Sequence, residues 1–467
     1  MYDDIMTEYE SPSNNNMDVV CLSYDELIAT CNNTTITNPN SLDMNTLIER
    51  AFSSDGLGII AITDVPNLPQ LRHRLLPLAQ KLATLPADQL DEVTDPESGY
   101  QVGWSHGREK LEGDKPDWSK GSFYANPLTE DLVESMLDRR TYQRPNNKII
   151  DGNVEEVLDW DESIDVVKTD DELRELAKSN PAFFAPNVWP SKHLPELEST
   201  FKDVGKLVHE VGLLVAKCCD SYVSSNVSML TYDMLGNCWG IWNQKNMFSC
   251  ASSSFSINPQ KCPGYDPNKL ENIIRYSKCC KARLLHYFPT AEEDNAGGDK
   301  IASNVAKDDT DFSSWCGWHN DHGSLTGLLP AMYLDSNGNI VECPDAKAGL
   351  YIKSRNGKLV HAKLPANALA FQVGETAQIH TGGLLQATPH AVRGCKGSSN
   401  VSRETFAIFM EPEYHSTMDL PVGRSLADTQ CIEAEQHLPS TVRTLRSRWK
   451  MGMSFGEFSN ATFAAFH

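Results

Sequence analysis

Apolar and polar positions follow two rhythms along this chain, and the change falls near Lys281. Before it, helical spacing dominates. From Asp43 the apolar residues Leu47, Ile48, Ala51 and Phe52 predict a helix that stops at Gly56. A compact apolar run, Gly58 to Ile62, predicts a strand, and Leu68 to Leu85 another helix. After Asn187-Val-Trp-Pro190 the spacing predicts a long helix over Leu194 to Ser224. Beyond Lys281 the runs shorten: Arg283–Phe288, Ser324–Tyr333, Leu350–Lys353, Leu359–Leu364, Ala368–Val373 and Thr405–Met410 read as strands. Asn337-Gly338 and Asn356-Gly357 mark hairpin turns between them. A basic helix near Arg443 to Lys450 and an aromatic tail close the chain.

Many short strands with Gly/Asn turns favour a barrel or jelly roll over an alternating βαβ sheet. The fold class expected is mixed α+β, with a double-stranded β-helix (jelly-roll) core between helical N- and C-terminal flanks. The expected organisation is an acidic disordered tail (1–16), a mostly helical flank (17–275), the core (276–415) and a helical tail (416–467). The segment 151–175, dense in Asp and Glu, reads as a solvated loop with a short helix. No internal repeat is visible.

Composition narrows the functions. With 467 residues, 41 basic and 63 acidic side chains, the net charge is −22. So acidic a surface repels phosphate backbones and anionic lipids, and no nucleic-acid or membrane partner is expected. Hydrophobic residues make up 40% of the chain, enough for a sizeable core. Met1 to Glu10 carries four acids and no base, unlike a secretory or mitochondrial leader. The nearest approach to an apolar span, Leu207 to Cys219, is short and holds His209, Glu210 and Lys217. A cytoplasmic protein is expected, with the nucleus open and a monomer favoured. The 13 cysteines include no CxxC pair, which argues against a thiolate zinc site and for reduced thiols.

The chemistry concentrates in Trp318-His-Asn-Asp-His-Gly-Ser-Leu-Thr326. His319 and Asp321, two apart, leave an extended backbone on the same face. An imidazole and a carboxylate converging there suit a divalent first-row metal, with a further His from a distant strand. Two His and one carboxylate on one face of an octahedron leave three open positions, the arrangement of non-haem Fe(II) oxygenases. His322 would point to the opposite face, and suits a hydrogen bond behind the ligands or the lining of the site. Downstream, Arg403-Glu-Thr405 sets a guanidinium fork beside a hydroxyl, matched to a carboxylate.

These segments resemble the isopenicillin N synthase-like superfamily of Fe(II)- and 2-oxoglutarate-dependent oxygenases. The pattern is His319, Asp321, Gly323 and Leu325-Thr326, then Gly374-Glu375 where the family has Gly-Asp, then Thr381-Gly-Gly383. Seven residues later comes His390, and the Arg-x-Ser of the family is Arg403-Glu-Thr405. Leu284 to Pro289 resembles an apolar-Tyr-Pro strand, with Phe288 where Tyr is common; Tyr287 precedes it. Similarity is thinner over Ala51–Ile62 and Asn187–Pro190, and the insert 291–314 is unlike the family.

The resemblance implies Fe(II) on His319, Asp321 and His390, with turn spacing favouring His390 over His380. It implies 2-oxoglutarate held through its far carboxylate by Arg403 and Thr405, with His322 and Tyr287 as supporting residues. O2 would be the oxidant and ascorbate an optional reactivating reductant. The activity implied is oxidation of a C–H bond in a small molecule, releasing succinate and CO2. A same-fold oxidase that does not use 2-oxoglutarate, and a non-catalytic binding descendant, are the alternatives. Nucleic-acid demethylases of the superfamily carry a second Arg six residues after the first, where this chain has Phe409. Zinc hydrolysis would leave Arg403 and Thr405 without a task.

Overall fold

The computed structural model describes residues 18–32, 43–108, 110–111, 115–143, 169–239, 265–289, 315–395, 400–429 and 435–466. The tail 1–16, the 151–168 part of the acidic loop and the insert 291–314 lie outside the described residues. The last part of the acidic segment enters a helix, Asp170–Ser179, started by a reciprocal capping box between Thr169 and Glu172.

In chain order the strands are β1 (Val20–Ser23), β2 (Ile59–Thr63), β3 (Gly103–His106), β4 (Lys110–Leu111), β5 (Lys115–Pro116), β6 (Lys120–Ala125), β7 (Cys280–Tyr287) and β8 (Cys316–His319). They continue as β9 (Leu325–Leu328), β10 (Met332–Asp335), β11 (Ile340–Val341), β12 (Gly349–Lys353), β13 (Leu359–His361), β14 (Leu369–Val373), β15 (His390–Arg393) and β16 (Val401–Met410). A large, mainly antiparallel sheet runs β1-β2-β14-β9-β16-β7-β6-β3, with β10 also on β16 and β11 on β10. A smaller antiparallel sheet runs β13-β12-β15-β8. The chain is therefore mixed α/β.

Most predicted elements are present with shifted ends. The helices at 43–56 and 68–85 span Met44–Phe52 and Leu68–Ala83, and the long helix runs from Glu196 to Trp239. The run 324–333 is two strands, divided at Leu329-Pro330, since proline has no N–H for a ladder. Gly338 and Gly357 turn with φ of 81° and 80°, the left-handed backbone that glycine favours. The flank 17–275 is mostly helical where described, yet lends β1, β2, β3 and β6 to the large sheet.

Two apolar layers meet on that sheet. Phe201, Val204, Val208, Val211 and Val215 recur every three or four residues along the long helix and are all buried. They pack with Leu284, Phe371, Phe406 and Ile408 of the sheet. Close approach needs Gly327, where a Cβ would sit 2.3 Å from Val208 Cγ1. On the other face Ile59, Leu285, Tyr287 and Ala370 meet Leu350, Ile352 and Val392 of the small sheet. Helices, large sheet and small sheet thus form three layers, and the chemistry lies between the sheets.

Candidate metal centre and anion pocket

His319 ends β8 and His390 begins β15, and the two are direct register partners with ring centroids 4.3 Å apart. Asp321 lies just past the end of β8, in the loop beyond it. Its Oδ1 stands 3.9 Å from His319 Nε2 and 3.8 Å from His390 Nε2. One ligand atom from each of the three falls within 4.8 Å of the others.

The surroundings fit a cation. His319 Nδ1 lies 2.8 Å from the Gly317 carbonyl oxygen and His390 Nδ1 3.2 Å from that of Thr388. A carbonyl only accepts, so each Nδ1 donates and each Nε2 faces the centre. Asp321 Oδ2 is buried with no hydrogen-bond partner among the described residues, a costly state that a divalent ion would relieve. Burial and the neighbouring His319 pull the His390 imidazole down to about 4, whereas Cys316 and Asp321 hold His319 up at about 9, so a metal must displace a proton from His319.

The loop carrying Asp321 is held from behind. The Glu375 N–H donates to the Asp321 carbonyl at 2.8 Å, and the Thr376 hydroxyl to that of His322 at 2.6 Å. These donors open the helix Glu375–His380, whose first N–H groups lack partners within the helix. Gly374 permits this, because a Cβ there would meet the Gly323 carbonyl oxygen at 2.0 Å. The Glu375 side chain takes two bonds from Arg448, at 2.8 and 2.6 Å, and one from Asn320 Nδ2 at 3.1 Å. This buried fork ties the C-terminal segment to the residue between His319 and Asp321.

Arg403 points into the same interlayer space from the large sheet. It is buried, and its Nε and Nη1 have no hydrogen-bond partner among the described residues. Its guanidinium carbon lies 4.9 Å from the Tyr287 ring and 5.9 Å from the Trp315 ring. A buried cation with unmet donors and aromatic walls is suited to an anion. Tyr287, expected as a support, is the direct strand partner of Arg403.

Two expectations meet different surroundings. The Thr405 hydroxyl donates to the Leu329 carbonyl at 2.9 Å, so its proton is not directed at a carboxylate. His322 faces the C-terminal helix rather than the ligands. Its Nε2 lies 3.2 Å from Ser459 Oγ, its ring stacks on Phe455, and burial pulls it down to about 4. His380, the rival third ligand, lies apart from the triad, with Nε2 3.1 Å from the Thr417 carbonyl oxygen.

Sequence reasoning missed the rest of the row on which Arg403 stands. Paired residues of adjacent strands share a face, so Tyr333, Arg403, Tyr287 and Lys120 line up across β10, β16, β7 and β6. Lys120 is buried and bonds Asp117 at 2.7 Å. Two residues along β6, Ser122 accepts from Arg283 through Nε and Nη2. The charge of Lys120 at the start of a strand masked the apolar pattern. The signal that could have found the row is the interrupted apolar run Gly121–Ala125.

No protein-family model matches the chain. One curated protein, jasmonate-induced oxygenase 4 of Arabidopsis thaliana, is 26% identical over 212 residues, 41% of this chain. The chain thus spans only about half of that relative, 55% of its length. Among solved structures, full-length Neurospora crassa T7H in complex with α-ketoglutarate is 18% identical, with a TM-score of 0.51 over 96% of this chain and 98% of that one. The same protein with α-ketoglutarate and thymine gives 17%, 0.52, 97% and 99%. A putative 2OG-Fe(II) oxygenase family protein from Caulobacter crescentus gives 12%, 0.52, 97% and 100%. In its overall chain path this protein has the fold of the 2-oxoglutarate/Fe(II) oxygenases.

Proposed function

We propose that the protein is an Fe(II)- and 2-oxoglutarate-dependent oxygenase that oxidises a C–H bond of a small molecule. The observation that carries this reading is the pairing of two complementary vacancies of charge: an acidic His-Asp-His cluster on one side and Arg403, with two unmet donors, on the other. In this reading the strands β7 to β16 form a jelly-roll core over 276–415, and the flank adds β1, β2, β3 and β6 to its large sheet.

His319 and His390 would hold the metal through Nε2 and Asp321 through a carboxylate oxygen. Fe(II) with 2-oxoglutarate supplies activation of O2, with release of succinate and CO2. Arg403 would fix the far carboxylate, and Tyr287 and Trp315 keep water from its guanidinium. Thr405 serves this arrangement by holding Leu329, unless its hydroxyl turns on binding. Arg283 adds positive charge beyond Arg403, inside a chain of net charge −22, whereas Lys120 is neutralised by its buried pair with Asp117. The two arginines favour anionic or strongly polar occupants. The thymine held by the similar T7H structure agrees in size class with a small-molecule substrate.

The test is anaerobic mixing of the purified protein with Fe(II) and 2-oxoglutarate. A visible charge-transfer absorption band is expected, together with succinate release stimulated by a fraction of cell metabolites once air is admitted. No band at saturating iron would sink the reading.

A further inference from the structure

Among the described residues two pairs of cysteines stand within reach of each other, and they differ in setting. Cys31 and Cys218 have sulfurs 3.8 Å apart, both buried where two helices meet. Cys343 and Cys395 have sulfurs 3.7 Å apart, but Cys343 is only half-buried, just beyond the two-residue strand β11. Cys395 lies beyond β15, the strand that carries His390, and is buried among Tyr287, Trp315 and Val392. Tyr287 and Trp315 are also the rings that flank Arg403. Tyr333, the β10 partner of Arg403, pairs with Val341 of β11 and packs with Cys343 against the same apolar cluster.

We propose that Cys343 and Cys395 are an oxidisable dithiol at the back of the co-substrate pocket, which peroxide converts to a disulfide that weakens 2-oxoglutarate binding. The second half rests on the co-substrate reading above.

The chemistry comes from the setting. The Cys395 sulfur 3.7 Å away pulls the Cys343 thiol down to about 6 despite its partial burial, which favours the reactive thiolate. The Cys343 thiolate attacks one oxygen of hydrogen peroxide, the O–O bond breaks, and a sulfenic acid and hydroxide form. The Cys395 thiol then displaces the sulfenic oxygen as water. In sum two thiols and one peroxide give one disulfide and two waters, the thiols losing two electrons to the peroxide. Closing the sulfurs from 3.7 Å to about 2.05 Å moves the short segment after β11, which no long strand restrains. That movement reaches Tyr333, the strand partner of both Val341 and Arg403. The Cys31–Cys218 pair is as close, and Cys218 lowers the Cys31 thiol in the same way, but both sulfurs are buried between helices, away from peroxide.

The full chain, reduced and then treated with hydrogen peroxide, is digested after thiol blocking and its linked peptides are identified by mass. A Cys343–Cys395 peptide that forms well before any Cys31–Cys218 peptide, and that dithiothreitol reverses, is expected. Anaerobic titration with 2-oxoglutarate in the presence of Fe(II) should show about a two- to tenfold weaker affinity after oxidation, the scale of one hydrogen bond from Arg403 weakened as its neighbours move. Cys343→Ser should abolish both the peptide and the shift. Absence of the peptide overturns the proposal, as does equal yield of Cys31–Cys218, or a disulfide that leaves affinity unchanged. If the reduced protein binds no 2-oxoglutarate, the co-substrate reading fails and the second half with it, while the peptide map still decides the disulfide.

Discussion

The two sheets contribute opposite kinds of group to the space between them. The small sheet and the loop after β8 bring His319, His390 and Asp321, an electron-rich cluster whose rings are oriented by the carbonyls of Gly317 and Thr388. The large sheet brings a row of cations and aromatics, Lys120, Tyr287 and Arg403, one residue from each of three strands. The cluster is assembled by one strand pair, one loop and the donors of one helix, all between His319 and His390. The row depends on the register of strands more than a hundred residues apart in sequence. A metal end built locally should tolerate damage to the large sheet. The anion end should fail if any of its three strands slips by one residue, because a slip turns every side chain to the other face.

The sharpest way to break this division is Asp321→Ala. It removes the carboxylate shared by both imidazoles, and iron binding with the visible band should vanish. Succinate release should fall more than about 100-fold, beyond the range typical of groups behind the ligands. The fold should persist by circular dichroism, since Asp321 Oδ2 has no partner among the described residues to lose. Retained iron binding would mean that the cluster is not the metal end.

Next in size is Arg448→Met. It leaves Glu375 buried without its fork, and breaking such a pair costs about 3–5 kcal/mol. Urea unfolding should show that loss, and iron affinity should drop too, because Glu375 would then hold Asn320 without its own anchor. The double variant Glu375→Gln with Arg448→Met should recover most of the stability and little of the affinity. Equal recovery of both would place the fork outside the metal end's support.

The local character of the metal end is also why it was legible in the sequence. His319 and Asp321 are two residues apart, and His390 is placed by a turn whose glycines the chain displays openly. Arg403 was legible through its spacing from His390. Its neighbours were not. Arg283 opens a predicted strand and Lys120 carries no sequence signal; only strand pairing puts them beside Tyr124 and Tyr287 on the large sheet. The Arg448–Glu375 fork joins positions 73 apart, and nothing in either segment names the other. Thr405 is marked by its two-residue spacing from Arg403, but its carbonyl partner lies 76 residues away and no pattern announces it.

On the anion end, Arg403→Ala should raise the 2-oxoglutarate concentration needed for half-saturation by about tenfold to a hundredfold. That range corresponds to the roughly 1.5–3 kcal/mol of hydrogen bonds to a charged group. Iron binding without 2-oxoglutarate, monitored by Co(II) substitution spectra, should stay unchanged. Arg403→Lys should recover only part, since an ammonium cannot present the planar fork. A variant that loses metal and co-substrate together would show that the two ends are not separable.

The smallest expected effect separates Thr405 from Arg403. A carboxylate is only an acceptor, and the Thr405 proton is already given to the Leu329 carbonyl, so the hydroxyl has nothing further to donate. Thr405→Val keeps the shape and removes that donor. Stability should fall by about 1–3 kcal/mol, the cost of a buried carbonyl left without its partner, while half-saturation by 2-oxoglutarate moves less than about threefold. If instead affinity drops as far as in Arg403→Ala with stability intact, the hydroxyl turns on binding. The anion end would then include a second donor, and the row on the large sheet would extend one step further toward the metal than its resting bonds indicate.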